Sequence, residues 1–182
     1  MKQLISLLIE NKPGALMRVT GVLTARGYNI ESLTVASTLD STLSSMTIVV
    51  GVDPAMQFLL IKQIKRLVNV VEVVDLTESR AICRELVLVK IETMPEKRAP
   101  LLKEIDSFGA RIAETDSLSY ILEVTGTSDD LDSFISLLHS YGTVEMIRSG
   151  AIAILGSSMA KSGDPLAEIT DSNGETQETL QA

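Results

Sequence analysis

One cysteine and one histidine, Cys83 and His139, are all this chain holds of the residues most used for thiol and imidazole chemistry. A lone thiol cannot close an intrachain disulfide, which excludes a small secreted scaffold and points to a reducing, cytoplasmic setting. Nothing near Cys83 lowers a thiol pKa, so it reads as a bystander. His139 falls near the end of a helical stretch, where the helix dipole favours an exposed imidazole. Tryptophan is absent and Phe and Tyr number three each, so any core must be aliphatic. The strands expected first and third carry no aromatic residue, which excludes the base-stacking sheet of an RNA-binding βαββαβ module. Cations are also scarce: 16 Lys and Arg against 24 Asp and Glu give a net charge of −8, with no footprint for nucleic acid or an anionic membrane. No apolar run approaches a membrane span, and the short one before Glu10 is interrupted too soon for a signal peptide.

Phosphate and metal motifs are missing as well. There is no Gly-x-Gly-x-x-Gly, and Gly150 to Gly156 lacks a following Lys-Ser pair. Asp129, Asp130 and Asp132 lack the glycine and distal glutamate of a calcium loop and suit the first turn of a helix. A small enzyme is disfavoured because no base, nucleophile or metal site is in view.

Hydrophobic residues make up 45% of the chain, and their spacing is regular. Leu4 to Ile9 reads as a strand, Gly14 to Arg26 as a helix with Leu16, Val19 and Leu23 on one face, and Asn29 to Ser37 as a second strand. A turn over Asp40 to Ser44 leads to a third strand, Met46 to Val52. Asp53-Pro54 then caps and opens a helix with Met56, Leu60, Ile64 and Leu67 inward. Val70 to Leu76 closes the half. The order recurs. Leu86 to Ile91 is a strand, a helix places Leu101, Ile105 and Phe108 on one face, and Arg111 to Thr115 and Tyr120 to Thr125 follow as strands. Ser128-Asp129-Asp130 caps a last helix with Leu131, Phe134 and Leu138 inward. Gly142 stops it, and Val144 to Leu155 forms the final extended segment. The expected class is α+β: two tandem ferredoxin-like βαββαβ units, each a four-stranded antiparallel sheet with two helices on one face. The expected boundaries are 1–77, a connector over 78–84, a second unit over 85–156 and an acidic, disordered tail over 157–182.

The segment between the first strand and helix, Asn11-Lys12-Pro13-Gly14-Ala15-Leu16, carries the clearest chemistry. The first N–H groups of a helix have no partner within it, and with the dipole behind them they suit a small carboxylate. By spacing alone the segment is equally a tight turn that needs glycine for its backbone.

These residues, with Arg26-Gly27-Tyr28-Asn29-Ile30-Glu31-Ser32-Leu33-Thr34-Val35, resemble the small, regulatory subunit of acetolactate synthase. The similarity continues through Ser45 to Val50 and Arg84 to Lys90 and ends near Arg148-Ser149-Gly150. The Asn-x-Pro-Gly-x-Leu turn alone marks the broader ACT class of amino-acid-binding modules; the Tyr28 to Val35 run makes the likeness specific. The resemblance implies an N-terminal ACT domain, a C-terminal ACT-like domain and a non-catalytic role. It also implies a separate large catalytic subunit carrying thiamin diphosphate, Mg²⁺ and FAD, with no cofactor or metal on this chain. It further implies a homodimer whose ACT units meet around valine or another branched-chain amino acid. Asn11, Gly14, Ala15 and Leu16 of one subunit would face Asn29 and Ile30 of the other. The N–H groups around Gly14 to Leu16 would take the carboxylate, Asn29 and strand carbonyls the ammonium, and Ile30 and Leu16 the side chain. The second half has Met94-Pro95-Glu96 where the first has Pro-Gly, so no equivalent site is expected there. The family often ends its last strand with Arg-Gly, where this chain has Leu155-Gly156. An ACT sensor of another enzyme or of a transcription factor is the alternative, weakened by the lack of a DNA-binding segment.

Overall fold

Alternation along the first strand decides how the first unit packs. In β1 (Lys2–Glu10), Gln3, Ile5, Leu7 and Ile9 are buried while their neighbours are not, so one face meets a core and the other does not. The structure, a computed structural model, describes residues 1–156, and the expected tail at 157–182 lies outside the described residues. β1 leads through a short loop into α1 (Ala15–Ala25), then β2 (Asn29–Ser37) and β3 (Leu43–Gly51). A 3₁₀ turn at Pro54–Met56 runs into α2 (Gln57–Ile64), and β4 (Val70–Asp75) completes the unit. The antiparallel sheet has the order β2-β3-β1-β4, with β2 and β4 as its edges. Both helices lie over the inward face of β1, where Ile5, Leu7, Met46, Ile48, Val19, Leu23, Leu60 and Ile64 form an aliphatic core. Each such side chain, fully buried, contributes roughly 1.5–3 kcal/mol.

Local capping follows the expected chemistry at the second helix. Asp53 Oδ1 accepts from the Ala55 N–H at 3.0 Å, with Pro54 in the first turn. At the first helix the inward row differs from expectation. Ala15, not Leu16, joins Val19 and Leu23: Ala15 is 2% exposed and Leu16 40%. Spacing allows either residue in this row; the way the helix rests on the sheet buries Ala15 and turns Leu16 to the side.

The second unit repeats the order with β5 (Ala81–Thr93), α3 (Pro95–Ser107), β6 (Arg111–Thr115), β7 (Ser119–Gly126), α4 (Ser128–Leu138) and β8 (Gly142–Arg148). Its sheet order, β6-β7-β5-β8, matches the first, strand for strand. Even a register skip recurs: β2 skips between Ile30 and Ser32, and β6 between Ile112 and Glu114. Leu101, Ile105, Leu131, Phe134 and Leu138 fill the core, and Phe108 tilts against Phe134 with ring centroids 4.7 Å apart.

Several details depart from the sequence reading. The last extended segment is two strands, β8 and β9 (Ile152–Leu155), broken at Ser149–Ala151, where Gly150 takes φ +82°. β9 pairs with the first residues of β5, giving this sheet a fifth strand and drawing Ala81–Arg84 out of the expected connector. Thr127 rather than Ser128 caps α4, in a reciprocal box with Asp130. Gly142 opens β8 instead of ending the helix. A Cβ there would fall 1.9 Å from the Glu92 carbonyl oxygen, so the residue permits close approach of two strands.

The break between β8 and β9 also joins the units. Thr34 Oγ1 donates to the Ser149 carbonyl oxygen, and the Ala151 N–H donates to Ser32 Oγ at 3.5 Å. Leu33 between them turns to the core, so this contact lies on the face of the first sheet opposite its helices.

Candidate functional site

The loop after β1 is held by its own backbone. The Asn11 N–H donates to the Thr42 carbonyl at 2.7 Å, and Asn11 Nδ2 donates to the Ser41 carbonyl at 3.0 Å. Gly14 is the N-cap of α1 at φ +85°, a left-handed conformation that disfavours most side chains, and it offers no side-chain cap. The Ala15 N–H donates to the Lys12 carbonyl, and Arg18 is the first to bond back to Gly14. The N–H groups of Gly14, Leu16 and Met17 have no backbone acceptor among the described residues. Uncapped N–H groups at the start of an eleven-residue helix favour an anion.

Beside this loop is an open cavity of about 320 Å³, at the small end of ligand pockets. Asn11, Ala15 and Leu16 line one side, and Val35, Ala36 and Ser37 at the end of β2 line the other. The sequence reading missed the β2 contribution. Its signal was the length of β2, which carries Ser37 to the level of Ser44 on β3 and so beside the end of β1.

The cavity margin is charged. Glu10 pairs with Lys12 at 3.0 Å and accepts from Asn69, which in turn accepts from Arg18. These bonds, Lys12's first, hold the Glu10 carboxyl below its usual range. The carboxylate is thereby committed to its neighbours, and two cations stand around the open end of the helix.

Asn29 and Ile30 are elsewhere in the chain's own fold. Asn29 pairs with Gly51, as Lys2 does, whereas Ser37 pairs with Ser44 beside Ile9. Eight residues of extended strand separate Asn29 from Ser37, about 26 Å. Gly14's loop and Asn29 therefore lie at opposite ends of one sheet and cannot touch one small ligand within a single chain. Ile30 packs partly into the core, and Asn29 Nδ2 donates to Glu31 Oε1 at 2.9 Å, leaving its Oδ1 free for a donor.

The residues considered for catalysis have structural surroundings. His139 is the exposed C-cap of α4. Burial, with Glu85 nearby, pushes the half-buried Cys83 thiol up, away from nucleophilic character. Asp130 is in the capping box and Asp132 pairs with Arg148. No group of three metal-ligating side chains occurs among the described residues. In the second unit, Met94 caps α3 in an extended conformation. The cavity near it opens toward α4 and β8, with Lys97 Nζ donating to the Ser140 carbonyl at 2.8 Å.

The profile of a family described as "AHAS small subunit-like ACT domain" matches residues 5–72, and one described as "Small subunit of acetolactate synthase" matches residues 84–156. The "Probable acetolactate synthase small subunit" of Archaeoglobus fulgidus is 43% identical over 155 residues, covering 85% of this chain and 97% of the relative. This chain belongs to the acetolactate synthase small-subunit family. The isozyme 3 small subunit of Escherichia coli is 38% identical over 155 residues, covering 85% and 95% of the two chains. The crystal structure of the Thermotoga maritima acetolactate synthase small subunit superimposes with a TM-score of 0.76 at 30% identity, covering 86% of this chain and 98% of that one. As a small subunit of this family, the chain is the non-catalytic partner of the enzyme. No helix among the described residues is long and apolar enough to cross a membrane.

Proposed function

We propose that this chain regulates a cytoplasmic acetolactate synthase, activating the large catalytic subunit and lowering its activity when valine or another branched-chain amino acid binds. The observation that carries the reading is that Asn29 and the cavity beside Asn11 lie at opposite ends of β2, an edge strand nine residues long. A second copy added antiparallel to this edge, about a two-fold axis near Leu33, sets one chain's Asn29 against the other's Ser37. Each cavity then gains Asn29 from its neighbour, and the dimer holds two identical sites built from both chains.

The chemistry of those sites suits a zwitterion. The free N–H groups at Gly14, Leu16 and Met17 receive the α-carboxylate, supported by the helix dipole. The free Oδ1 of Asn29, with strand carbonyls, receives the ammonium without a buried carboxylate to neutralise it. Leu16, Val35 and the partner copy's Ile30 give the aliphatic side chain an apolar wall. Binding energy drawn from both chains alters how they sit together, and that is how a ligand with no catalytic group acts on another polypeptide.

Residues 1–77 form the effector-binding domain in this reading, and 85–156 the second domain. Condensation of pyruvate belongs to the large subunit, with its thiamin diphosphate, Mg²⁺ and FAD. Neither nucleic acid nor membrane takes part. The synthase reading is favoured over an ACT sensor of another enzyme or a transcription factor, because the family match extends through the second unit. The test is reconstitution. Purified chain added to purified large subunit raises pyruvate condensation and makes it valine-sensitive, while the chain alone turns over nothing. Turnover by the chain alone, or a large subunit indifferent to it, would refute this function.

A further inference from the structure

β2 serves the effector cavity with one face and the second unit with the other. Val35 and Ser37 line the cavity and pair with Met46 and Ser44, which are buried on the helix side of the sheet. Ser32 and Thr34 alternate with them and point the opposite way, to the Ser149–Ala151 turn. That turn is fixed to the second sheet. The Ser149 N–H donates to the Leu86 carbonyl at 2.9 Å, and the Leu86 N–H donates to Ser149 Oγ at 3.1 Å. Leu86 belongs to β5, which runs between β7 and β8. One hydrogen bond thus separates β2 from the turn, and one more separates the turn from an inner strand of the second unit.

The seam has no slack. A Cβ on Gly150 would fall 3.1 Å from Thr34 Oγ1 and 3.2 Å from Ser32 Cβ, closer than ordinary contact, and Ala151 beside it is buried. Atoms packed this closely pass a displacement on instead of absorbing it. β2 itself is less constrained: within its own chain only β3 pairs with it, and the ladder skips between Ile30 and Ser32. Such a bulge bends its strand and leaves a residue unpaired. A ligand seated against Val35 and Ser37 favours whichever bend of β2 fits it better. Energetic coupling then has a contiguous route, through packed neighbours and hydrogen bonds, from the cavity to β5.

We infer that Thr34 and the Ser149–Ala151 turn are the relay by which an amino acid bound at the first unit is felt in the second, a reading that rests on the proposed function in one respect, that valine binds beside Gly14. The experiment follows amide hydrogen exchange on the full chain with and without saturating valine. In the unsubstituted chain, valine is expected to slow exchange at Gly14 to Met17 and also to change it at Leu86 and Ser149. Thr34→Val keeps the branched shape and the strand preference but removes the donor. It is expected to lose most of the response at Leu86 and Ser149 while keeping that at Gly14 to Met17. Thr34→Ser retains the hydroxyl and restores the distant response. A response at Leu86 and Ser149 as large in Thr34→Val as in the unsubstituted chain overturns the relay. So does an unsubstituted chain whose valine response stops within the first unit. Loss of both responses in Thr34→Val also overturns it, since Thr34 would then belong to the effector site itself. An unsubstituted chain with no valine response even at Gly14 to Met17 sinks the proposed function instead, which separates the two failures.

Discussion

Thr34 Oγ1 reaches the carbonyl oxygen of Ser149, 115 positions further along the chain, at 3.3 Å. The bond ties the edge strand β2 of the first sheet to the turn between β8 and β9 of the second. Gly150, next to it, has φ +82°, and a Cβ there would meet Thr34 Oγ1 at 3.1 Å and Ser32 Cβ at 3.2 Å. Gly150→Val therefore strains the backbone and pushes the two units apart. We expect a loss of about 1–3 kcal/mol, read as a lower melting temperature. An unchanged melting temperature would show that the turn moves freely away from β2.

Gly14→Asp tests the effector loop without breaking the fold. An added Cβ meets nothing within 4 Å, and aspartate tolerates the left-handed conformation better than most residues. Its carboxylate occupies the helix N-terminus and repels the ligand's own. Losing one charge-assisted hydrogen bond, worth roughly 1.5–3 kcal/mol, weakens valine binding about tenfold or more. Calorimetry showing wild-type affinity in this variant removes the loop from the site.

Mixing two defective chains tests whether the site is shared. The design uses a valine concentration at which Gly14→Asp and Asn29→Ala chains each show no measurable binding alone. In a mixed dimer one site holds both defects and the other holds neither. Random reassortment makes about half the dimers mixed, so roughly a quarter of wild-type capacity returns. A refolded mixture with confirmed exchange but no recovered valine binding contradicts the two-chain site.

Glu10 sets a pH dependence. Its folded pKa lies below the ordinary value of 4.5, held down by Lys12 first and then Asn69. A depressed carboxylate stabilises the fold above its unfolded pKa, and the contribution is lost as pH falls through the folded value. The melting-temperature advantage of the unsubstituted chain over Glu10→Gln is thus expected at pH 6 and should decline progressively as the pH is lowered from 4.5 through the depressed folded value. A constant difference across that range would mean that the ionised carboxylate is not what holds the loop.

Much of the molecule was legible because its signals are local. The short apolar run Leu4 to Ile9 in β1, the Asp53-Pro54 cap and the three-to-four spacing of Leu101, Ile105 and Phe108 act over a few residues and name their own element. The Pro13-Gly14 loop was legible for the same reason, since a strand passing through glycine into a helix leaves N–H groups free wherever the rest of the chain goes. Tertiary structure decided what depends on residues far apart in sequence. Which side of α1 faces the core, Ala15 or Leu16, follows from how the helix rests on the sheet. Gly142 resembles a helix stop until β8 is seen pressed against Glu92. Asn11 and Asn29 belong to one motif in the sequence, yet antiparallel register places them at opposite ends of the sheet, because every residue added along β2 carries the chain further from its start. That separation keeps the two from meeting one small ligand within a single chain.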